Sequence, residues 1–233
     1  RDFDAAPPGS LRAGDRFYFA ERGKILALAV VGRRPLADGI RLVGAHVDAV
    51  RIDLKQRPLY TDGNLALLQT HYYGGIKKYQ WVSLPLALHG VFVRPDGKKI
   101  SLTIGEAPGD PVFTITDLLP HLANDQMKKT MGEAIEGEGL DVLVGSVPSK
   151  DKKSKEKIKR HVLELLKERC GVVEADFVSS ELEFVPAGPP REAGLARSMI
   201  LGYGHDDRSC AFGALRALLD LGGVPERTAC ALL

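Results

Sequence analysis

Two short stretches carry residue types that bind metals. The first is Leu42-Val43-Gly44-Ala45-His46-Val47-Asp48-Ala49, an apolar run that ends in His-X-Asp. Residues i and i+2 of a strand share a face, so His46 and Asp48 should emerge together. They would do so at the C-terminal end of the strand, where open α/β sheets keep their ligand sites. A neutral imidazole ligates zinc well, and a neighbouring carboxylate can fix its tautomer and raise its basicity. His-X-Asp is common by chance, so the metal reading needs support from elsewhere in the chain.

That support comes from 199–211, which reads as a short strand, a Gly-rich turn, Asp206-Asp207 and then a helix. The helix carries Cys210, Ala211, Ala214, Leu215, Leu218 and Leu219 at helical spacing and stops at Gly222-Gly223. An aspartate at a helix start caps free N–H groups and suits the dipole. One aspartate is enough for that, and here two follow His205. Asp207 is assigned the structural role, which leaves Asp206 free for a metal.

These residues need a sheet to carry them. Residues 16–20 and 24–31 read as strands, and the near-continuous apolar runs predict burial on both faces, as in an α/β sheet. Residues 51–63 look extended and turn-rich, with Pro58 and Asp62-Gly63 as breakers. The texture changes near Trp81. A long β-type run over 81–94, a turn at Pro95-Asp96-Gly97 and a return strand over 99–105 predict a hairpin. Further strands are expected over 111–117, 140–147 and 177–186, and a helix with Ile158, Val162, Leu165 and Leu166 on one face precedes the last of them. Sheet-and-helix texture returns at Met199, and the chain closes on a strand from Thr228. The expected fold class is therefore α/β, a doubly wound-type domain over 1–81 and 198–233 interrupted by a mostly β insert at 82–197.

Composition narrows the function classes. A chain of 233 residues with 44% hydrophobic content can build a substantial core. Aromatics at 6% provide no base-stacking platform, and a net charge of +2 calls for neither nucleic acid nor a membrane surface. No apolar run approaches the roughly 20 residues of a membrane span. Residues 150–160 hold seven basic side chains against two acidic ones, which reads as a solvated helix start. Three scattered cysteines without CxxC spacing point to a reducing compartment, the cytoplasm.

The run Gly44-Ala45-His46-Val47-Asp48 is followed by Leu54-Lys55, Pro58-Leu59-Tyr60 and Tyr72-Tyr73-Gly74-Gly75-Ile76-Lys77-Lys78-Tyr79-Gln80-Trp81. Together with Thr116-Asp117-Leu118-Leu119-Pro120-His121-Leu122-Ala123 and Asp206-Asp207-Arg208, this order resembles the aspartyl aminopeptidase family. These are relatives of vacuolar aminopeptidase I in the clan of di-zinc exopeptidases, and the bacterial branch is the better match. The resemblance implies peptide substrates and two Zn2+ per active site, with Co2+ or Mn2+ as alternatives. It implies that His46 and Asp206 are metal ligands, Asp206 the bridging one, and that Asp48 orients His46. It makes the insert a dimerisation domain, with homodimers building to a dodecamer, and no nucleic-acid or membrane partner. His121, in Pro120-His121-Leu122-Ala123, would reach into a neighbouring subunit's site to bind substrate or stabilise the tetrahedral intermediate. Read without the family, His121 is an ordinary loop histidine. His71, His89 and His161 have no partner pattern, and His205 has no assigned role.

Two metals sharing one bridge need roughly five ligating residues, and motif supplies only two. In the family a Glu-Glu pair, serving as base and ligand, follows the strand that here ends at Leu233. Residues 1–233 are thus expected to be the N-terminal half, inactive and weakly zinc-binding alone. The segment after Gly74-Gly75 departs from the family's acidic-specific branch, which leaves acidic and neutral N-terminal preferences equally open. Three other readings stand behind aminopeptidase: an inactive assembly partner, another di-metal amidohydrolase of the clan, and a nucleic-acid or anionic-surface binding module built on 150–160.

Overall fold

The computed structural model describes residues 11–151 and 153–233. The chain divides into two compact units. One runs to Ala49 and resumes over Gly204–Leu233, and the other is Val50–Tyr203.

In chain order the first unit opens with β1 (Arg16–Glu21), β2 (Ile25–Val30) and β3 (Arg41–Gly44). The second contains β4 (Arg51–Asp62), β5 (Leu65–Tyr73), β6 (Leu86–Val93), β7 (Lys99–Ile104) and β8 (Thr114–Ile115). It continues with the single turn α1 (Met131–Ala134), β9 (Val142–Gly145), α2 (Lys157–Cys170), β10 (Ser180–Pro186), β11 (Arg191–Ala193) and β12 (Met199–Leu201). The first unit then resumes with α3 (His205–Leu219) and β13 (Ala229–Leu232). No helix among the described residues is long and apolar enough to cross a membrane. The fold is mixed α/β.

The first unit is a sheet in the order β1-β2-β13-β3. β13 runs antiparallel to β2 and parallel to β3, with Leu232 opposite Gly44. α3 precedes β13 and lays Ala214 and Leu218 against Val30 and Ala231. The apolar run of β3 is not covered as its composition suggested: Leu42 is 60% exposed and Val43 41%. β3 is an edge strand here, paired with β13 alone. Gly32, just past β2, shows how closely this sheet is assembled. A Cβ there would stand 2.3 Å from the backbone of Arg227 and Thr228. Its N–H donates to Thr228 Oγ1 at 3.0 Å.

The second unit is a seven-stranded antiparallel sheet, β7-β6-β10-β4-β5-β9-β8, with the ribbon β11-β12 beside it in sequence. Sequence reading missed its centre. Asp62-Gly63 does not end the extended segment but turns it, because Gly63 and Asn64 both have positive φ (51° and 65°) and join β4 to β5 as a two-residue hairpin. Pro58 lies where the β4–β5 register shifts, between Leu54 and Leu59, a position that tolerates a missing N–H. Because β4 and β5 belong to this sheet, the units part at 49/50 and 203/204, whereas the change of texture suggested 81/82 and 197/198.

The core of this unit centres on Phe92, Phe184, Ile52 and Leu86, each with no exposed surface. Phe92 meets Phe177 edge-on at 5.4 Å, and Phe113 meets Phe184 at 5.2 Å. Full burial of each such side chain is worth about 1.5–3 kcal/mol. α2 contributes Val162, Ile158 and Leu166, while Leu165 is 49% exposed, so the expected apolar face is buried over three of its four residues. The two ends of the unit are tied together by the Tyr203 hydroxyl, which donates to the Val50 carbonyl.

Candidate metal centre

The site lies in the first unit and is built from two chain ends. β3 stops at Gly44, one residue beyond which Ala45 N–H still bonds to Leu232 O at 3.0 Å. His46 and Asp48 follow in the irregular segment after that last tie, not within the strand itself. Asp206 and Asp207 lie in the first turn of α3. β13 pairs with β3 and packs against α3, and so holds the two pieces to one frame.

His46 is the centre of the group. Its Nδ1 lies 3.6 Å from Asp48 Oδ1 and 3.4 Å from Asp48 O. Its Nε2 lies 3.7 Å from Asp206 Oδ2, and its Nδ1 lies 3.7 Å from Asp207 Oδ1. His46, Asp206 and Asp207 offer ligand atoms that all fall within 4.8 Å of one another. Ligands about 2.1 Å from a tetrahedral zinc stand about 3.4 Å apart, so small side-chain rotations would bring these atoms to coordination distance. The donor set, one imidazole and two carboxylates, suits zinc chemically. Asp48 against Nδ1 leaves Nε2 as the nitrogen facing Asp206.

Burial separates the two aspartates. The Asp206 side chain is 92% exposed, whereas that of Asp207 is 10% exposed. A carboxylate withdrawn from water needs compensation, which the α3 dipole and the adjacent imidazole can supply. The sequence reading gave Asp207 a capping role, but the N-cap of α3 is Gly204, and no side chain there caps the helix. Asp207 instead faces His46 and is a candidate ligand that sequence reasoning did not single out. The available signal was the presence of two acids where a cap requires one.

His121 belongs to the second unit, on an exposed loop whose Leu119 and Leu122 are 66% and 71% exposed. Two other histidines pair with glutamates. His89 Nε2 lies 2.9 Å from Glu106 Oε1, and His161 lies 3.8 Å from Glu164 on α2.

Comparison with known proteins identifies the family. The family model described as aminopeptidase I zinc metalloprotease (M18) matches residues 9–229. A probable M18 family aminopeptidase 1 from Clostridium acetobutylicum is 50% identical over 212 residues, covering 91% of this chain and 46% of its own length. The crystal structure of an M18 family aminopeptidase from Thermotoga maritima superposes with a TM-score of 0.87 at 46% identity, over 98% of this chain and 48% of that one. The S. cerevisiae mApe1 dodecamer shares the fold, with a TM-score of 0.63 at 20% identity over 95% of this chain and 49% of that one. The chain spans about half the length of the curated relatives it matches. It belongs to the M18 family of aminopeptidase I zinc metalloproteases.

Proposed function

We propose that this chain supplies part of the active site of a zinc-dependent aminopeptidase that removes N-terminal residues from peptides. The observation that carries the proposal is the meeting of His46, Asp206 and Asp207 in a chain of this family. His46 and Asp206 would hold zinc, with Asp207 as a third ligand in reach, and Co2+ or Mn2+ could replace it. Zinc bound there would supply a Lewis acid and an activated water for amide hydrolysis. The chain's own groups prepare for that. Asp48 beside Nδ1 favours the tautomer that presents the Nε2 lone pair, and holds the ring's orientation. Asp206, with most of its surface in water, has free oxygen capacity to offer a second cation.

Assembly is part of the proposal. The insert read at 82–197 serves as a dimerisation domain, and homodimers build to a dodecamer. Exposed Leu118, Leu119 and Leu122 around His121 support an interface there, because apolar side chains clustered at a loop favour burial by a second copy. His121 would then contribute to substrate binding in the neighbouring subunit. Two metals sharing one bridge need roughly five ligating residues, more than His46, Asp206 and Asp207 supply. The cytoplasm is the proposed location.

The test is hydrolysis of a panel of aminoacyl p-nitroanilides by the protein that carries this chain. Chelator should abolish activity and zinc restore it, and His46→Ala should lower both zinc content and kcat/KM by at least 100-fold. Undiminished turnover after complete metal removal would refute the proposal.

A further inference from the structure

The start of α3 contains a feature that helix physics disfavours. Arg208 sits one turn into the helix, at the positive end of the macrodipole, where a cation is destabilising. It stays exposed but folds back onto the turn that precedes the helix. Its Nη1 donates to the Gly204 carbonyl at 2.9 Å. Gly204 is the N-cap, in a left-handed conformation (φ 77°, ψ 28°), and brings no capping side chain of its own. A Cβ at this position would stand 1.9 Å from Arg208 Nη1, 3.1 Å from Arg208 Cζ and 3.5 Å from Asp207 Oδ2. The guanidinium therefore occupies the space that a side chain at 204 would fill, on the same side as the buried Asp207 carboxylate. Ser209 Oγ adds a bond to Asp206 O at 3.1 Å.

We propose that Arg208 is a positioning residue of the metal centre: folded onto the Gly204 turn, it fixes the first turn of α3 and the direction in which Asp206 and Asp207 face His46. This inference rests on reading those three residues as zinc ligands. A guanidinium has five donors and no lone pair to give, so it acts on a metal only through the residues it holds. Its planar fork holds the Gly204 carbonyl with less loss of freedom than a lysine would. Gly204 is the complementary requirement, since any side chain there would expel the guanidinium.

The experiment titrates the metal-free full-length protein with Zn2+ against a chelating dye and records the visible d–d spectrum with Co2+ in its place. Arg208→Ala should weaken zinc binding about 10-fold or more, the range for residues that orient ligands. The Co2+ band should change in position or intensity, and Arg208→Lys, which keeps a donor within reach of Gly204 O, should restore most of both. If Arg208→Ala fails to fold, Arg208→Gln takes its place in the same comparison. Wild-type zinc affinity together with an unchanged Co2+ spectrum in Arg208→Ala would overturn the proposal. His46→Ala separates the two readings. If it loses zinc while Arg208→Ala does not, only the positioning role fails. If His46→Ala binds zinc as tightly as wild type, the zinc site itself is wrong.

Discussion

Gly32→Ala should loosen the sheet that carries the candidate metal centre while leaving the second unit intact. A Cβ at Gly32 would lie 2.3 Å from Arg227 C and Thr228 N and 2.8 Å from Arg227 Cα, all backbone atoms. Ordinary contact begins near 3.4 Å, so the segment entering β13 must retreat by about 1.1 Å. No rotamer change can absorb that. The retreat would break the bond from Gly32 N–H to Thr228 Oγ1, in a buried setting where an unsatisfied donor costs about 1–3 kcal/mol. It would also strain the neighbouring ties from Arg33 N to Pro225 O (3.0 Å) and Arg34 N to Glu226 O (2.9 Å). At about 0.5–1.5 kcal/mol for each of these, the total reaches about 2–6 kcal/mol. That is a large share of the roughly 5–15 kcal/mol that holds a domain folded. Hydrogen exchange read by mass spectrometry reports each unit separately. β2 and β13 should lose about that much protection, and β6 in the second unit should lose none. Gly213→Ala is the control. It lies in α3 with nothing within 4 Å of its added Cβ, and should gain about 0.5–1 kcal/mol. A loss under 1 kcal/mol in β2 and β13, or an equal loss in β6, would refute the reasoning.

Two further predictions concern the second unit. Tyr60 donates to Asp141 Oδ2 at 2.5 Å, and Tyr60→Phe should cost about 1–2 kcal/mol in denaturant unfolding. Burial, followed by that hydrogen bond, pushes the Tyr60 hydroxyl far above its ordinary value. The stability it contributes is present below about pH 10 and lost as pH rises further, and ultraviolet titration should find Tyr60 still protonated where a free tyrosine has ionised. At the acid end, bonds from Arg169 to Asp110, from Lys55 to Glu138, and from Arg160 and then Ser149 to Glu164 lower all three carboxyls. Their contribution is present above about pH 4 and lost as pH falls through the depressed values. Arg169→Gln should flatten the acid limb of a circular-dichroism titration, and an unchanged limb would show that Asp110 does not matter there.

What was legible in the chain was what local chemistry decides. β1, β2, the β6–β7 hairpin, α2 and α3 all follow from periodicity and turn residues close in sequence. His-X-Asp and Asp-Asp stood out because each is a short run of metal-binding types. Three things were not legible, each for a physical reason. Asp62-Gly63 reads as a break unless Asn64 is also known to take positive φ, so the hairpin that joins β4 to β5 was lost. With it went the true junction at residue 50, since a change of texture at Trp81 falls inside a sheet that had already begun. The third is Asp207. Neighbours on a helix point about 100° apart, and which of them faces inward depends on where β3 lies, which no spacing within α3 can reveal.

The hydrogen bond from Tyr203 to Val50 joins the first and last residues of the inserted unit. An insertion whose two ends meet behaves as a closed cassette. It imposes little loop-closure entropy on the host chain, whatever its length, because the host needs to span only the short gap between its entry and exit points. Such a cassette can lengthen, shorten or be exchanged among relatives while the host sheet keeps its registry. Joining Ala49 to Gly204 through a short glycine-rich linker would accordingly preserve β1, β2, β3 and β13 and remove the whole seven-stranded sheet. Changes inside the inserted unit would then be felt by the host sheet only through two chain crossings that lie side by side.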